Sequence, residues 1–154
     1  MSILFEPVTV GNLELKNRFI RSATYYALSD IDGFIGQASV DLIRRLAEND
    51  IGLIVTGYAY VQKSGQSFPD MNGIQDDDHI PAYQEMTRAV HDVDGRVVMQ
   101  IAHGGIASAT AVRRGEPRLA VSASEGSSES ENGPREMTDE EIETLAREAR
   151  APFS

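Results

Sequence analysis

Apolar and polar residues alternate on both sides of Gly11-Asn12, with Val8 and Val10 before the pair and Leu13 and Leu15 after it. That pattern predicts a short β-hairpin. NRFIRSAT then reads as the first core strand, and LSDIDGFIG, rich in Asp and Gly, as a loop. Val40, Ile43, Leu46 and Ala47 recur at helical spacing among Asp41, Arg44, Arg45 and Glu48, so residues 37 to 49 read as an amphipathic helix lying on a sheet. IGLIVTG is a continuous apolar run, the pattern of a strand covered on both faces, and it implies a parallel sheet. A long polar loop through QKSGQSFPDMNGIQDDD leads to Asp78, which stands as N-cap before a second helix carrying Ile80, Tyr83, Met86, Val90 and Val93. Gly95 stops that helix and RVVMQIA follows as the third strand. Alternation along it turns Val98, Gln100 and Ala102 to one face and packs Met99 and Ile101 under a helix.

Beyond Gly105 the pattern changes. Residues 122 to 134, SASEGSSESENGP, hold five Ser, three Glu and no large apolar side chain, so a flexible loop is expected there. REMTDEEIETLAREAR opens with Thr138 and Glu141 at the spacing of a capping box and with acidic residues at the positive end of the helix dipole, which predicts a third helix. Strands alternating with helices give an α/β class with parallel crossovers, about three βα units after the hairpin.

Composition bounds the function. With 154 residues the chain is one average domain. Its hydrophobic residues make up 41% and no apolar run approaches the ~20 residues of a membrane span, so no membrane segment is expected. The first residues lack a basic region and meet Glu6 and Pro7 early, which points to the cytoplasm. Cysteine is absent, excluding disulfides, thiolate metal sites and a cysteine nucleophile. A formal net charge of -10 with no basic cluster argues against a nucleic-acid partner.

Each strand ends in a small or polar cluster: Ser22 to Thr24, Thr56 to Ala59, and Gln100 to Gly105. Ligands of parallel α/β folds sit outside the carboxyl ends of the strands, so the clusters point to one shared small-molecule site. Gln100 is a carboxamide at the end of an apolar strand and needs partners for its donors and acceptors. His103 reads as a loop anchor, and His79 beside Asp76, Asp77 and Asp78 as part of a capped helix start, with no metal site. No dinucleotide or P-loop fingerprint occurs.

LFEPVTVGNLELKNRFIRSAT, GLIVTGYAYV, MQIAHGG and REMTDEEI, in that order and at these spacings, resemble the Old Yellow Enzyme family of FMN-dependent NAD(P)H:flavin oxidoreductases and ene-reductases. The resemblance implies the N-terminal portion, residues 1 to 154, of an FMN-binding (β/α)8 TIM barrel with the flavin across its carboxyl-end face. It implies that Gln100 hydrogen-bonds the pyrimidine edge of the flavin, whose adjoining N–H and carbonyl complement a carboxamide. It further implies that the Gly57 N–H approaches the ring and that Ser22, Ala23 and Thr24 lie along it. A gapless count places the family's flavin-tuning position on Tyr25; a shift of one residue places it on Thr24. NAD(P)H is the implied reductant and an activated alkene or similar small molecule the acceptor.

No catalytic residue is assigned. The family's His-x-x-His or His-x-x-Asn pair, its tyrosine proton donor and its phosphate site belong to later strands, and the closing APFS departs from the family's helix, so an incomplete barrel is expected. Open sheet edges would then favour self-association. Two alternatives stand beside the enzyme reading: a non-catalytic remnant or assembly subunit, and an independent small α/β flavin-binding domain.

Overall fold

The structure, a computed structural model, describes residues 2 to 122 and 134 to 150. β1 (Val8–Val10) and β2 (Leu13–Leu15) pair antiparallel with Val8 opposite Leu15, as the alternation predicts. Gly11 makes the turn at φ 62°, a left-handed conformation that a glycine adopts without a Cβ clash.

Further short strands follow in chain order: β3 (Ile20–Arg21), β4 (Leu53–Val55), β5 (Ala59–Tyr60), β6 (Asn72–Gly73), β7 (Val97–Val98), β8 (Ile101–Ala102), β9 (Leu119–Ala120) and β10 (Arg135–Glu136). The helices are α1 (Gln37–Glu48), α2 (Ile80–His91), α3 (Ala109–Arg113) and α4 (Asp139–Arg150). Two parallel sheets result, ordered β3-β4-β7 and β6-β5-β8. β4 and β5 are consecutive, and so are β7 and β8, so the second sheet continues the first across a short break. Within the described residues these sheets form an arc and do not close.

α1 and α2 pack on one face of that arc. Val40, Ile43 and Ala47 of α1, Tyr83, Met86 and Val90 of α2, and Ile54 of β4 form one buried cluster, with Leu145 and Ala149 of α4 against its margin. The register sets Ile20 beside Leu53 and Val55 beside Val98, so these four share the face opposite Ile54. Ile20 (55% exposed) and Val98 (40%) remain open there.

Where β3 enters the sheet, buried Asn17 donates to the Asp50 carbonyl at 2.6 Å and accepts from the Phe19 N–H at 3.0 Å, tying it to the turn before β4. At α4 the expected capping box forms: the Glu141 carboxylate accepts from the Thr138 N–H at 2.8 Å, and the Thr138 hydroxyl from the Glu141 N–H at 3.2 Å.

Several expectations are corrected. The cap before the second helix is Asp76, whose carboxylate accepts from the Asp78 N–H at 3.2 Å and starts a 3-10 turn, Asp77–His79, that runs into α2. The long loop expected from Gln62 to Asp78 contains β6, and a further short strand, β5, precedes it. The predicted strand RVVMQIA breaks at Met99-Gln100, and Ile101 is 38% exposed instead of lying under a helix. Past that break β8 pairs with β5, whose Ala59 is in the buried cluster, yet the Ile101 side chain stays outside it while Met99 packs against it. The expected loop 122 to 134 lies outside the described residues except for its two ends.

Candidate functional site

Three of the singled-out segments meet where the first sheet ends. Ser22, Ala23 and Thr24 leave β3, Gly57 follows β4, and Gln100 sits between β7 and β8. Ser22 and Thr24 are exposed, and Arg21 folds the segment by donating to the Ser22 carbonyl at 3.3 Å and to the Thr24 hydroxyl. Gly57 is buried against it. A Cβ at Gly57 would stand 2.9 Å from the Thr24 carbonyl oxygen and 2.9 Å from the Tyr26 ring, so any larger residue would push the two strand ends apart. The glycine is thus required by the chain's own packing.

Gln100 is fixed through its backbone and free at its side chain. Its N–H donates to the Thr56 hydroxyl at 3.3 Å and its carbonyl accepts from the Ala59 N–H at 2.9 Å. The Thr56 N–H in turn donates to the Val98 carbonyl at 3.0 Å. Buried Thr56 therefore splices the ladder across the break between the two sheets, its side chain standing in for a backbone acceptor. The Gln100 carboxamide is exposed and has no hydrogen-bond partner among the described residues. It offers one acceptor and one donor side by side, a set that fits a ring edge carrying an adjoining N–H and carbonyl. Reading the sequence placed Thr56 in a strand-end cluster but gave it no role; the available signal was a hydroxyl closing the apolar run IGLIV, which must find a partner once buried.

Tyr25 and Tyr26 point apart. Tyr26 packs against the core, and its oxygen accepts from the Asn72 amide at 3.0 Å. Tyr25 stacks on Tyr58 with ring centroids 5.9 Å apart, lies 5.1 Å from the Phe68 ring, and donates its phenolic proton to Asp70. Partial burial and the Asp70 carboxylate push the Tyr25 phenol well above its ordinary value.

His103 is a loop anchor. Its Nδ1 accepts from the Gly105 N–H at 3.1 Å and its Nε2 lies 3.2 Å from the Ser64 hydroxyl, an arrangement that requires the neutral ring with the proton on Nε2. Burial lowers its pKa accordingly. His79 is 1% exposed, 4.1 Å from the Phe34 ring by centroids and 3.9 Å from the Asp76 carboxylate. Among the described residues no group of His, Asp and Glu could hold a metal ion, and no helix is long and apolar enough to cross a membrane. A cleft of about 410 Å³ lies at the other end of the sheet, where its cations Lys16 and Arg96 are paired with Asp50 and Asp94.

The chain matches the model of the NADH:flavin oxidoreductase / NADH oxidase family over residues 3–149. It is 30% identical over 152 residues to a metal reductase of Desulforamulus reducens (strain ATCC BAA-1160 / DSM 100696 / MI-1), covering 98% of this chain and 22% of that protein. It is 28% identical over 143 residues to an NADH oxidase of Thermoanaerobacter brockii, covering 92% of this chain and 22% of the relative. Among solved structures, Old Yellow Enzyme from Pichia sp. AKU4542 superposes with a TM-score of 0.87 at 26% identity, over 97% of this chain and 41% of that one. The chain thus spans less than half the length of each of these proteins.

Proposed function

The chain belongs to the NADH:flavin oxidoreductase / NADH oxidase family, and on that premise we propose that it carries the flavin-edge wall of an FMN-dependent NAD(P)H oxidoreductase of the Old Yellow Enzyme type. The observation that carries this reading is Gln100: an unpaired carboxamide on a backbone fixed by two hydrogen bonds, at the open end of a parallel sheet. Bound FMN would supply hydride transfer, taking hydride from NAD(P)H and passing it to an activated alkene or similar acceptor.

The chain's own residues would do the rest of the positioning. The Gln100 oxygen would accept from the ring N–H and its amide would donate to the adjoining carbonyl, and Ser22, Ala23, Thr24 and Tyr25 would hold the ring from the end of β3. Gly57 lets the ends of β3 and β4 close into one surface. A titration of the 154-residue chain with FMN, followed by the visible spectrum and flavin fluorescence, tests this. Perturbed flavin bands that weaken in Gln100→Ala support the reading, and a spectrum identical to free FMN at all protein concentrations refutes it.

A second reading is favoured by one observation, the open apolar face bearing Ile20 and Val98. In that reading the chain is an assembly subunit that binds flavin only when another chain, or a second copy, covers this face. Size-exclusion chromatography separates the two: a monomer that binds FMN supports the first.

A further inference from the structure

Asn72 lies on β6, outside the flavin contacts assigned to the end of β3, Gly57 and Gln100, yet its side chain reaches two of the segments that carry them. We propose that Asn72 is the positioning residue of the flavin wall: through Gly57 and Tyr26 it fixes how the ends of β3 and β4 stand relative to each other. The inference rests on the flavin reading above, because the surface it sets is the one assigned there to FMN.

The ladder between β3 and β4 stops short of the wall. Its pairs are Ile20 with Leu53 and Arg21 with Ile54, and the wall is formed by the chain beyond Arg21 and Ile54. Asn72 supplies a link past that point. It is 4% exposed, and its Nδ2 donates to the Tyr26 oxygen at 3.0 Å and to the Gly57 carbonyl at 3.3 Å, so one amide group holds the segment after β3 and the segment after β4. Its Oδ1 accepts from the Ser29 hydroxyl at 2.6 Å, and Ser29 is itself bridged to Ile35. Pairing of Asn72 with Ala59 of β5 fixes the backbone from which the side chain reaches out.

Only one orientation of the amide satisfies these partners. A backbone carbonyl can only accept, so the group facing Gly57 must be the NH2, and the Ser29 hydroxyl must then donate to Oδ1. Both amide protons are committed, one to Tyr26 and one to Gly57. Because the side chain is buried, water does not replace a lost partner, and breaking either bond leaves a polar group unmatched. Packing acts in the opposite sense. A Cβ at Gly57 would stand 2.9 Å from both the Thr24 carbonyl oxygen and the Tyr26 ring, so Gly57 already lies as close to the end of β3 as its atoms allow. Contact therefore sets the lower limit of the spacing between the two strand ends, and the Asn72 amide, bonded to both, sets the upper one.

The test sets Asn72→Asp, which keeps the side chain's shape and turns a carboxylate oxygen toward the Gly57 carbonyl, against Tyr26→Phe, which removes the Tyr26 contact alone. In the 15N,13C-labelled 154-residue chain the Asn72 NH2 protons should be protected from exchange with water. The Gly57 carbonyl 13C shift should move in Asn72→Asp and stay in Tyr26→Phe. Asn72→Asp should weaken FMN binding about tenfold and Tyr26→Phe by less than about threefold. The flavin spectrum at saturating protein separates positioning from mere stability. Fewer folded molecules change only the midpoint of the titration, whereas a displaced wall changes the bands of the complex, so the saturated Asn72→Asp spectrum should lie closer to free FMN than the parent's. A saturated Asn72→Asp spectrum identical to the parent's overturns the proposal. So do freely exchanging Asn72 NH2 protons in the unmodified chain, a measurement that stands even if the aspartate variant does not fold. An unmodified chain that leaves FMN unperturbed refutes the flavin reading instead, and the Asn72 and Gly57 signals then still decide whether this side chain sets the spacing of the two strand ends.

Discussion

Replacing Thr56 by valine keeps the shape of a fully packed side chain and deletes the one atom that accepts the Gln100 N–H. A neutral hydrogen bond of this kind contributes about 0.5–1.5 kcal/mol net. Gln100 is exposed, so its freed N–H can reach water and the loss should stay near the middle of that range, about 1 kcal/mol. For a chain of this size the melting temperature should fall by about 2–4 °C. The diagnostic effect is local. With the splice cut, the stretch between β7 and β8 loses its cross-link to the end of β4, so the Gln100 amide should exchange with deuterium about fivefold faster, while Ile54 and Val90 amides change only by the global stability loss. Thr56→Ser, which restores the hydroxyl, should recover the Gln100 protection even if its missing methyl costs stability elsewhere. If Gln100 exchanges at the same rate in Thr56→Val as in the parent, or if Thr56→Ser behaves like Thr56→Val, the splice does not position Gln100 and the reasoning fails.

Other expectations follow from the same structure. Ala27 holds a left-handed φ of 52°, so Ala27→Gly should stabilise the chain by about 0.5–1 kcal/mol in thermal or denaturant unfolding, the strain relieved exceeding the unfolded-state entropy gained. His79 and His103 are both pushed below the ordinary imidazole value by burial, so the unfolded chain binds more protons below about pH 6.5. Stability should therefore be fully present above that pH and decline from there toward pH 5, and His79→Leu should flatten part of the slope. The Glu141 carboxyl is pulled down to about 2, first by the Arg135 guanidinium and then by the Thr138 N–H. Its contribution to α4 is present above the ordinary carboxylate range and is lost as pH falls toward 2; circular dichroism of Glu141→Gln should lack that acid step.

Much of the fold was legible because its signals are local. The hairpin at Gly11-Asn12, the stripes of α1 and α2 and the Thr138/Glu141 box each depend on residues within about four positions of one another, which is the reach of helix and turn periodicity. What escaped depends on partners far along the chain. The break at Met99-Gln100 exists because β7 pairs with β4 and β8 with β5, and a strand-length apolar run carries no mark of that change of partner. The cap at Asp76 escaped because three consecutive aspartates offer equivalent carboxylates, and only the path of the preceding loop chooses among them. At the site, the residue types at 22–25, 57 and 100 were readable, and so was the anchoring role of His103. The Tyr25-Asp70 pair was not, since 45 residues separate its members and neither shows a pattern alone.

The most direct test of the central claim is a titration with lumiflavin, which carries the isoalloxazine ring and no phosphate, monitored on the side-chain Nε2 protons of Gln100. Two hydrogen bonds to one ring edge should contribute about 1–2 kcal/mol, so Gln100→Ala should weaken lumiflavin binding about tenfold. The account predicts large, saturable shifts at the Gln100 carboxamide with smaller ones at Ser22 to Tyr25. Binding that leaves the Gln100 carboxamide unmoved, or that is unchanged in Gln100→Ala, would contradict it.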